Sequence, residues 1–213
     1  MAVRSLVGEH PEVEPLLGPR AGGQSARLLE AMTRVVGEQG YAAATVADAV
    51  KAARVSRGTF YALFASKEAC FLEAYRHGVD VLVERIEAAV QAEPGDWRDK
   101  LRAAMRAYLA ELDAEPRFAR AHLFEIHVAG PAAGAARDAA LWRFAERYRA
   151  TFSAAAGGPA PKSDDAFFAL AAGIDQLVCA RLREGASLPS LEDSLVNCAV
   201  QLGVPTAASA DAG

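Results

Sequence analysis

The side chains best suited to bind an anionic partner are concentrated near the amino terminus. Residues 20–67 hold seven lysine and arginine side chains and three acidic ones, a net charge of +4, whereas the whole chain carries −4. Clustered basic side chains attract phosphates, and an acidic body with one basic end suits a protein that touches nucleic acid only through that end. The charge distribution therefore predicts a nucleic-acid-binding segment in the first third of the chain.

The cysteines and histidines lack the spacing of metal or catalytic sites. Cys70, Cys179 and Cys198 lie within helical patterns without a Cys-x-x-Cys motif, which predicts reduced thiols. His122 and His127 are five residues apart and fall on different faces of a helix. No nucleophile, base and orienting group occur together. We therefore expect no enzyme activity, no metal and no cofactor.

The apolar stretches are too short for a signal peptide or a membrane span. We therefore expect a cytoplasmic protein that does not enter a membrane.

Residues 45–68 predict two short helices joined by a tight turn, followed by the start of a third. Thr45 and Asp48 form the pattern of a capping box, and Ser56 and Ser66 are further N-cap candidates. Two short helices with a turn of three or four residues are typical of the helix-turn-helix, whose second helix enters the DNA major groove.

The same stretch resembles the DNA-binding core of the TetR family of bacterial transcriptional regulators. The resemblance is strong over about 45 residues, and beyond them only the size and the helical pattern agree. The matching residues are Thr45, Ala49, Ala53, Val55-Ser56, Gly58-Thr59-Phe60-Tyr61, Phe64 and Ser66-Lys67-Glu68.

The resemblance implies that three residues early in the second helix face the bases. Arg57 can donate two hydrogen bonds to guanine, and Thr59 can touch a thymine methyl group or a phosphate. Gly58 would allow the DNA backbone to approach closely.

Three further residues are expected to hold phosphates. Tyr61 and Lys67 match family positions with that role, and Thr45 can bind a phosphate through its hydroxyl and the helix amino terminus.

Two positions depart from the family pattern. Arg54 replaces the usual glycine of the turn; a left-handed backbone there would cost roughly 1 kcal/mol. Arg54 either lies in solvent in a slightly strained turn or reaches a phosphate. Leu63 stands where the family often has histidine, which removes one polar group near DNA.

The helical periodicity predicts an all-α protein of about nine helices. An N-terminal three-helix helix-turn-helix domain is expected to precede a larger helical domain for ligand binding and dimerisation. The predicted divisions are a disordered arm (1–23), the DNA-binding domain (24–66), the larger domain (67–204) and a disordered tail (205–213). Predicted helices include Gln24–Gln39, Lys67–Ala92, 97–115, a shorter helix opened by Pro116 that contains Phe124 and His127, 135–155, 164–184 and 190–202.

The last two helices predict a homodimer. Residues 164–184 are apolar almost all round, and residues 190–202 have a stripe of Leu191, Leu195, Ala199 and Leu202. A soluble helix of the first kind is buried on more than one side, and two such helices per chain can form a four-helix interface.

The body is rich in aromatic residues, and in the family the central helices enclose a ligand cavity. A few polar groups usually anchor the ligand in an apolar pocket. The candidate ligand-binding residues are Tyr108, His122, His127, Trp142, Phe168 and Asp175.

The function indicated is a repressor that binds a palindromic operator in double-stranded DNA as a dimer and is released by a small hydrophobic effector. The alternative is a TetR-like DNA-organising or protein-docking factor without a small-molecule effector. A body without a cavity would favour the alternative.

Overall fold

The computed structural model describes residues 23–156 and 162–203, and every regular element in them is helical. The predicted all-α class is confirmed. The tail and, apart from Gly23, the arm lie outside the described residues. The α-helices are α1 (Gln24–Gln39), α2 (Val46–Ala53), α3 (Arg57–Leu63), α4 (Lys67–Ala92), α5 (Trp97–Ala114), α6 (Pro116–Leu123), α7 (Pro131–Ala156), α8 (Asp164–Arg183) and α9 (Glu192–Gly203), with 3₁₀ turns at Glu125–Val128 and Leu188–Leu191.

Helices α2, α3 and α4 begin where the capping residues predict. The Thr45 hydroxyl accepts a hydrogen bond from the Asp48 amide, and the Asp48 carboxylate accepts one from the Thr45 amide, both at 3.1 Å. Ser56 and Ser66 cap the next two helices in the same way. Each such cap stabilises its helix by about 1 kcal/mol.

The turn between α2 and α3 has a left-handed backbone at Arg54, with φ 53° and ψ 48°. It is the only non-glycine residue with a positive φ among the described residues. Its side chain is exposed. The strain expected from the missing glycine is therefore present, at roughly 1 kcal/mol.

The chain between α6 and α7 differs from the prediction. Helix α6 ends at Leu123, so Phe124 and His127 are not in it; a 3₁₀ turn follows, in which the Glu125 carboxylate meets the Tyr41 amide. That contact depends on tertiary packing, which cannot be predicted from the spacing of apolar residues in the sequence. Helix α7 starts at Pro131, not near residue 135, because a proline fits the first turn of a helix, whose amides need no partner.

Two clusters of buried side chains form the core, and α4 contributes to both. Its first half, including Phe71, packs with α1–α3. Its second half, including Leu82 and Ile86, packs with α5, α7, α8 and α9. Helix α4 is thus one rigid element shared by the amino-terminal helices and the body.

Helix α6 also contacts the amino-terminal helices. A Cβ atom on Gly37 of α1 would lie 2.2 Å from the Arg117 carbonyl oxygen, so only glycine permits this approach of α6. No helix in residues 23–156 or 162–203 is long and apolar enough to cross a membrane.

Candidate functional site

Helix α3 presents one face to solvent and buries the other. Phe60 is completely buried, whereas Arg57 and Gly58 are exposed and 59% of Tyr61 is accessible. Thr59 is half-buried, and its hydroxyl lies 3.0 Å from the Ser56 hydroxyl. The exposed face can therefore lie in a groove while Phe60 anchors the helix.

Two arginines near this face are free to bind a ligand. Neither Arg54 nor Arg57 forms an ion pair or a side-chain hydrogen bond within the part of the chain that the structure describes. Both are exposed. Their guanidinium groups can bind phosphates or base edges without breaking an internal contact.

Thr45 and Lys67 are more constrained than the sequence suggests. The Thr45 hydroxyl donates to Asp48 Oδ2 at 2.5 Å and accepts from the Asp48 amide. Lys67 Nζ donates to the carbonyls of Tyr41 at 2.7 Å and Ala44 at 3.1 Å, and lies 4.1 Å from the centre of the Tyr41 ring. Lys67 therefore holds the α1–α2 loop and has one remaining donor for a phosphate.

The body encloses an elongated cavity of about 290 Å³. On α4 its wall runs from Tyr75 to Gln91, which corresponds to about 24 Å of helix. Tyr75 is buried, whereas Gln91 and, on α5, Lys100 are exposed, so the cavity opens at the end near Gln91. The middle of the wall is aliphatic and includes Leu82, Ile86, Val90, Leu101, Met105 and Leu141.

The inner end of the cavity contains a buried histidine. His122 Nδ1 lies 3.1 Å from the Phe118 carbonyl and donates to it, because a carbonyl can only accept. Burial lowers the pKa of His122 to about 4, against the opposing effect of the Phe118 and Tyr75 backbone carbonyls. The ring is therefore neutral near pH 7, and Nε2 is buried, with no hydrogen-bond partner within the described residues.

An ion pair and two phenols complete the inner end. Arg137 donates to the Asp175 carboxylate at 2.7 Å. Burial raises the pKa of Tyr75 and of Tyr108, and the negative charge of Asp175 adds to both shifts. Neither phenol hydroxyl makes a hydrogen bond to another group in residues 23–156 or 162–203. Both can therefore bond to a guest.

The open end carries positive charge. Arg147 pairs with Glu87 and donates to the Arg143 carbonyl at 3.0 Å. Lys100 has no ion-pair partner among the described side chains. The two cations and one anion leave a net positive mouth.

Three of the six predicted ligand-binding residues lie on this wall: Tyr108, His122 and Asp175. His127, Trp142 and Phe168 do not line this cavity, and their role in ligand binding stays a prediction. His127 is exposed on the 3₁₀ turn. Trp142 packs against Phe168 with the two rings tilted, and it is 39% accessible. Aromatic content alone does not tell which face of a helix turns inward.

Tyr75 and Arg137 are wall residues that the sequence interpretation missed. Arg137 precedes Leu141, Phe144 and Tyr148 by four, seven and eleven residues, the spacing of one helical face, and all four line the cavity. That spacing could have identified Arg137.

Comparison with known proteins identifies the amino-terminal helices. The family model described as "Bacterial regulatory proteins, tetR family" matches residues 28–74, which include α2, α3 and the start of α4. The amino-terminal helices thus match the DNA-binding part of the TetR family. The resemblance to that family, read from residues 45–68, is confirmed.

A curated TetR-family relative matches part of the chain. The HTH-type transcriptional regulator EthR of Mycolicibacterium smegmatis is 30% identical over 107 residues, which cover 48% of this chain and 48% of EthR. The match thus spans about half the length of that relative.

Solved structures share the whole TetR-type fold. FadR from Bacillus subtilis, solved in complex with stearoyl-CoA, superposes with a TM-score of 0.72 at 18% identity, covering 84% of this chain and 98% of FadR. A transcriptional regulator from Rhodococcus sp. Rha1 gives a TM-score of 0.68 at 25% identity, covering 86% and 100%. The matched family model and these solved structures are those of transcriptional regulators.

Proposed function

We propose that the protein is a ligand-responsive repressor that binds a palindromic operator as a homodimer and is released when a small hydrophobic effector enters the cavity. The observation that carries the proposal is the position of α4. Its first residue, Lys67, holds the loop before the helix-turn-helix, and its residues from Tyr75 onward form the cavity wall. One rigid helix therefore connects the effector site with the DNA-binding end.

DNA contact is proposed through the exposed face of α3. Arg57 reads a base edge, Tyr61 and the remaining donor of Lys67 bind phosphates, and Gly58 permits close approach. Thr59 contributes its methyl group, because its hydroxyl is engaged with Ser56. At Thr45 the amides of the α2 amino terminus take the phosphate role, since the hydroxyl bonds to Asp48.

The proposed dimer interface is the exposed side of α8 and α9. Leu177 is 44% accessible and Leu202 is 55% accessible, although the rest of the predicted α9 stripe, Leu191, Leu195 and Ala199, is buried within the chain. Gly173 has open space where a side chain would stand, so a partner helix can approach it. Two recognition helices must then lie about 34 Å apart to enter successive major grooves.

Release follows if the effector prefers an α4 orientation that disturbs this spacing. A ligand shifts such an equilibrium only by its difference in affinity for the two orientations, typically 1–3 kcal/mol. The shape of the cavity suits an extended apolar molecule, and the stearoyl-CoA complex of FadR is an acyl-chain precedent in the same fold. The volume is near the lower end of the range of about 300–1,000 Å³ for ligand pockets, which favours a small guest.

The alternative is a DNA-organising or protein-docking factor without an effector. The cavity, with its unpartnered polar groups, supports the effector-binding function over it.

The test is an operator search followed by a titration. An inverted repeat upstream of the gene for this protein would supply a labelled duplex, and fluorescence anisotropy would measure its affinity for the protein. We expect tight binding with two subunits per duplex and a strong salt dependence. Equal affinity for the repeat and for a scrambled duplex would refute sequence-specific binding.

A further inference from the structure

The two ends of the cavity differ in charge and in hydrogen-bonding capacity. The mouth has the unpaired cation Lys100 beside the Arg147–Glu87 pair. About 18 Å along α4 from Glu87, at Tyr75, the inner end is polar but carries no net charge. Between them the wall is mainly aliphatic. A guest that matches both ends is therefore a chain with different groups at its two termini.

The inner end is uncharged because its ionisable groups cancel or stay neutral. Arg137 and Asp175 neutralise each other at 2.7 Å. Burial keeps the phenols of Tyr75 and Tyr108 protonated and His122 unprotonated. A second carboxylate placed here would face Asp175 without a free cation, so an anionic terminus is disfavoured.

The same groups disfavour a methyl terminus. The hydroxyls of Tyr75 and Tyr108 have no hydrogen-bond partner within the described residues. An alkyl end that displaced water from this region would leave both phenol hydroxyls unsatisfied, which is unfavourable. A hydroxyl can both donate and accept, and so can satisfy these groups without adding charge.

We propose that the cavity binds an extended chain-shaped molecule with an anionic group at the mouth, beside Lys100, and an uncharged hydroxyl at the inner end, beside the hydroxyls of Tyr75 and Tyr108. This inference rests on the proposed function, because it names the chemistry of the effector site.

Three matched chains test the proposal. Unsubstituted fatty acids, ω-hydroxy fatty acids and α,ω-dicarboxylates of twelve and sixteen carbons share a carboxylate at one end and differ only at the other. Isothermal titration calorimetry with the full chain would measure their affinities. We expect the ω-hydroxy acid to bind at least tenfold more tightly than both others at the better chain length.

Two tyrosine variants test which hydroxyl group causes the preference for the ω-hydroxy acid. Tyr108→Phe removes one inner hydroxyl and should reduce the preference for the ω-hydroxy acid several-fold. Tyr148→Phe is the matched control, because that cavity-lining hydroxyl lies 3.8 Å from Met105 Sδ and bonds to it. It should leave the preference unchanged.

The results of these titrations distinguish a failure of this inference from a failure of the proposed function. If the unsubstituted acid or the dicarboxylate binds as tightly as the ω-hydroxy acid, or if none of the three binds, the inference is wrong. An equal loss of preference in Tyr108→Phe and Tyr148→Phe would also overturn it. If the ω-hydroxy acid binds with the expected preference but leaves operator affinity unchanged, the inference stands and the effector-controlled repressor fails.

Discussion

The Glu125 carboxylate accepts a hydrogen bond from the backbone amide of Tyr41 at 2.7 Å. Glu125 follows α6 in the body, and Tyr41 lies in the loop that leads to the helix-turn-helix. The Arg120 side chain on α6 lies 3.4 Å from the same carboxylate. Because α6 also carries His122 on the cavity wall, this bond is a second connection, besides α4, between the cavity and the DNA-binding end.

Glu125→Ala should loosen the α1–α2 loop. The variant loses a hydrogen bond to a charged acceptor, which is worth about 1.5–3 kcal/mol. Hydrogen exchange should therefore show faster exchange of the Tyr41 amide. Glu73→Ala is the control, since Glu73 is an exposed carboxylate that pairs with exposed Arg76 on the same helix. Unchanged protection of the Tyr41 amide in Glu125→Ala would show that the bond does not hold the loop.

Arg57→Ala should weaken operator binding by about 1–3 kcal/mol and relax base preference at one position in each half-site. Anisotropy titrations against duplexes with single base changes would measure both effects. Arg98→Ala removes an equally exposed positive charge from the far end of the body and should change neither. A variant at Arg57 with wild-type affinity and specificity would exclude it from base recognition.

Acid should destabilise the protein partly through His122. The folded-state pKa is about 4, below the ordinary value of 6.5, so between these values the unfolded chain binds a proton that the folded chain does not. Stability due to this residue is complete above pH 6.5 and falls as the pH drops, by up to about 2 kcal/mol between pH 7 and 5. Urea unfolding at both pH values would show a smaller loss in His122→Phe. An equal loss in the variant and the wild type would contradict the pKa assignment.

Leu177→Glu should split the dimer, because it places a charge in the middle of the proposed α8–α9 interface without a partner. Light scattering at micromolar concentration would report the mass. Val128→Glu introduces the same charge at a 63% accessible site outside that interface and should leave the dimer intact. A wild-type monomer at this concentration would refute the interface.

The sequence predicted the amino-terminal helices well because their signals are local. The caps at Thr45, Ser56 and Ser66 act over three residues, and each lies where it was expected. The internal bonds of Lys67 were not predictable, because their acceptors at Tyr41 and Ala44 are more than twenty residues away in the chain.

The cavity was predicted less completely, for a related reason. A helical pattern shows that a face is apolar, but it does not show whether that face meets another helix or an open space. Trp142 and Phe168 pack on each other outside the cavity, whereas Tyr75, which was not among the predicted ligand-binding residues, lines it. For the same reason, the helical pattern does not show which apolar face of α8 or α9 meets a partner subunit.

The central claim is that occupation of the cavity lowers operator affinity. Ala104→Trp should separate ligand binding from operator binding, because Ala104 lines the cavity on α5. Filling the cavity should abolish ligand binding and leave operator affinity within about twofold of wild type, since helices α1–α3 are untouched. Ala132→Trp, at an exposed position early in α7, controls for the added indole.

The most direct measurement is the operator affinity of the wild-type dimer, by anisotropy, without ligand and with a saturating concentration of a cavity ligand found by thermal shift. We predict that the ligand weakens operator binding by about 5- to 150-fold, and that operator DNA weakens ligand binding by the same factor. The Ala104→Trp variant should show no change. Equal operator affinity of the wild type with and without a ligand that demonstrably occupies the cavity would contradict the account.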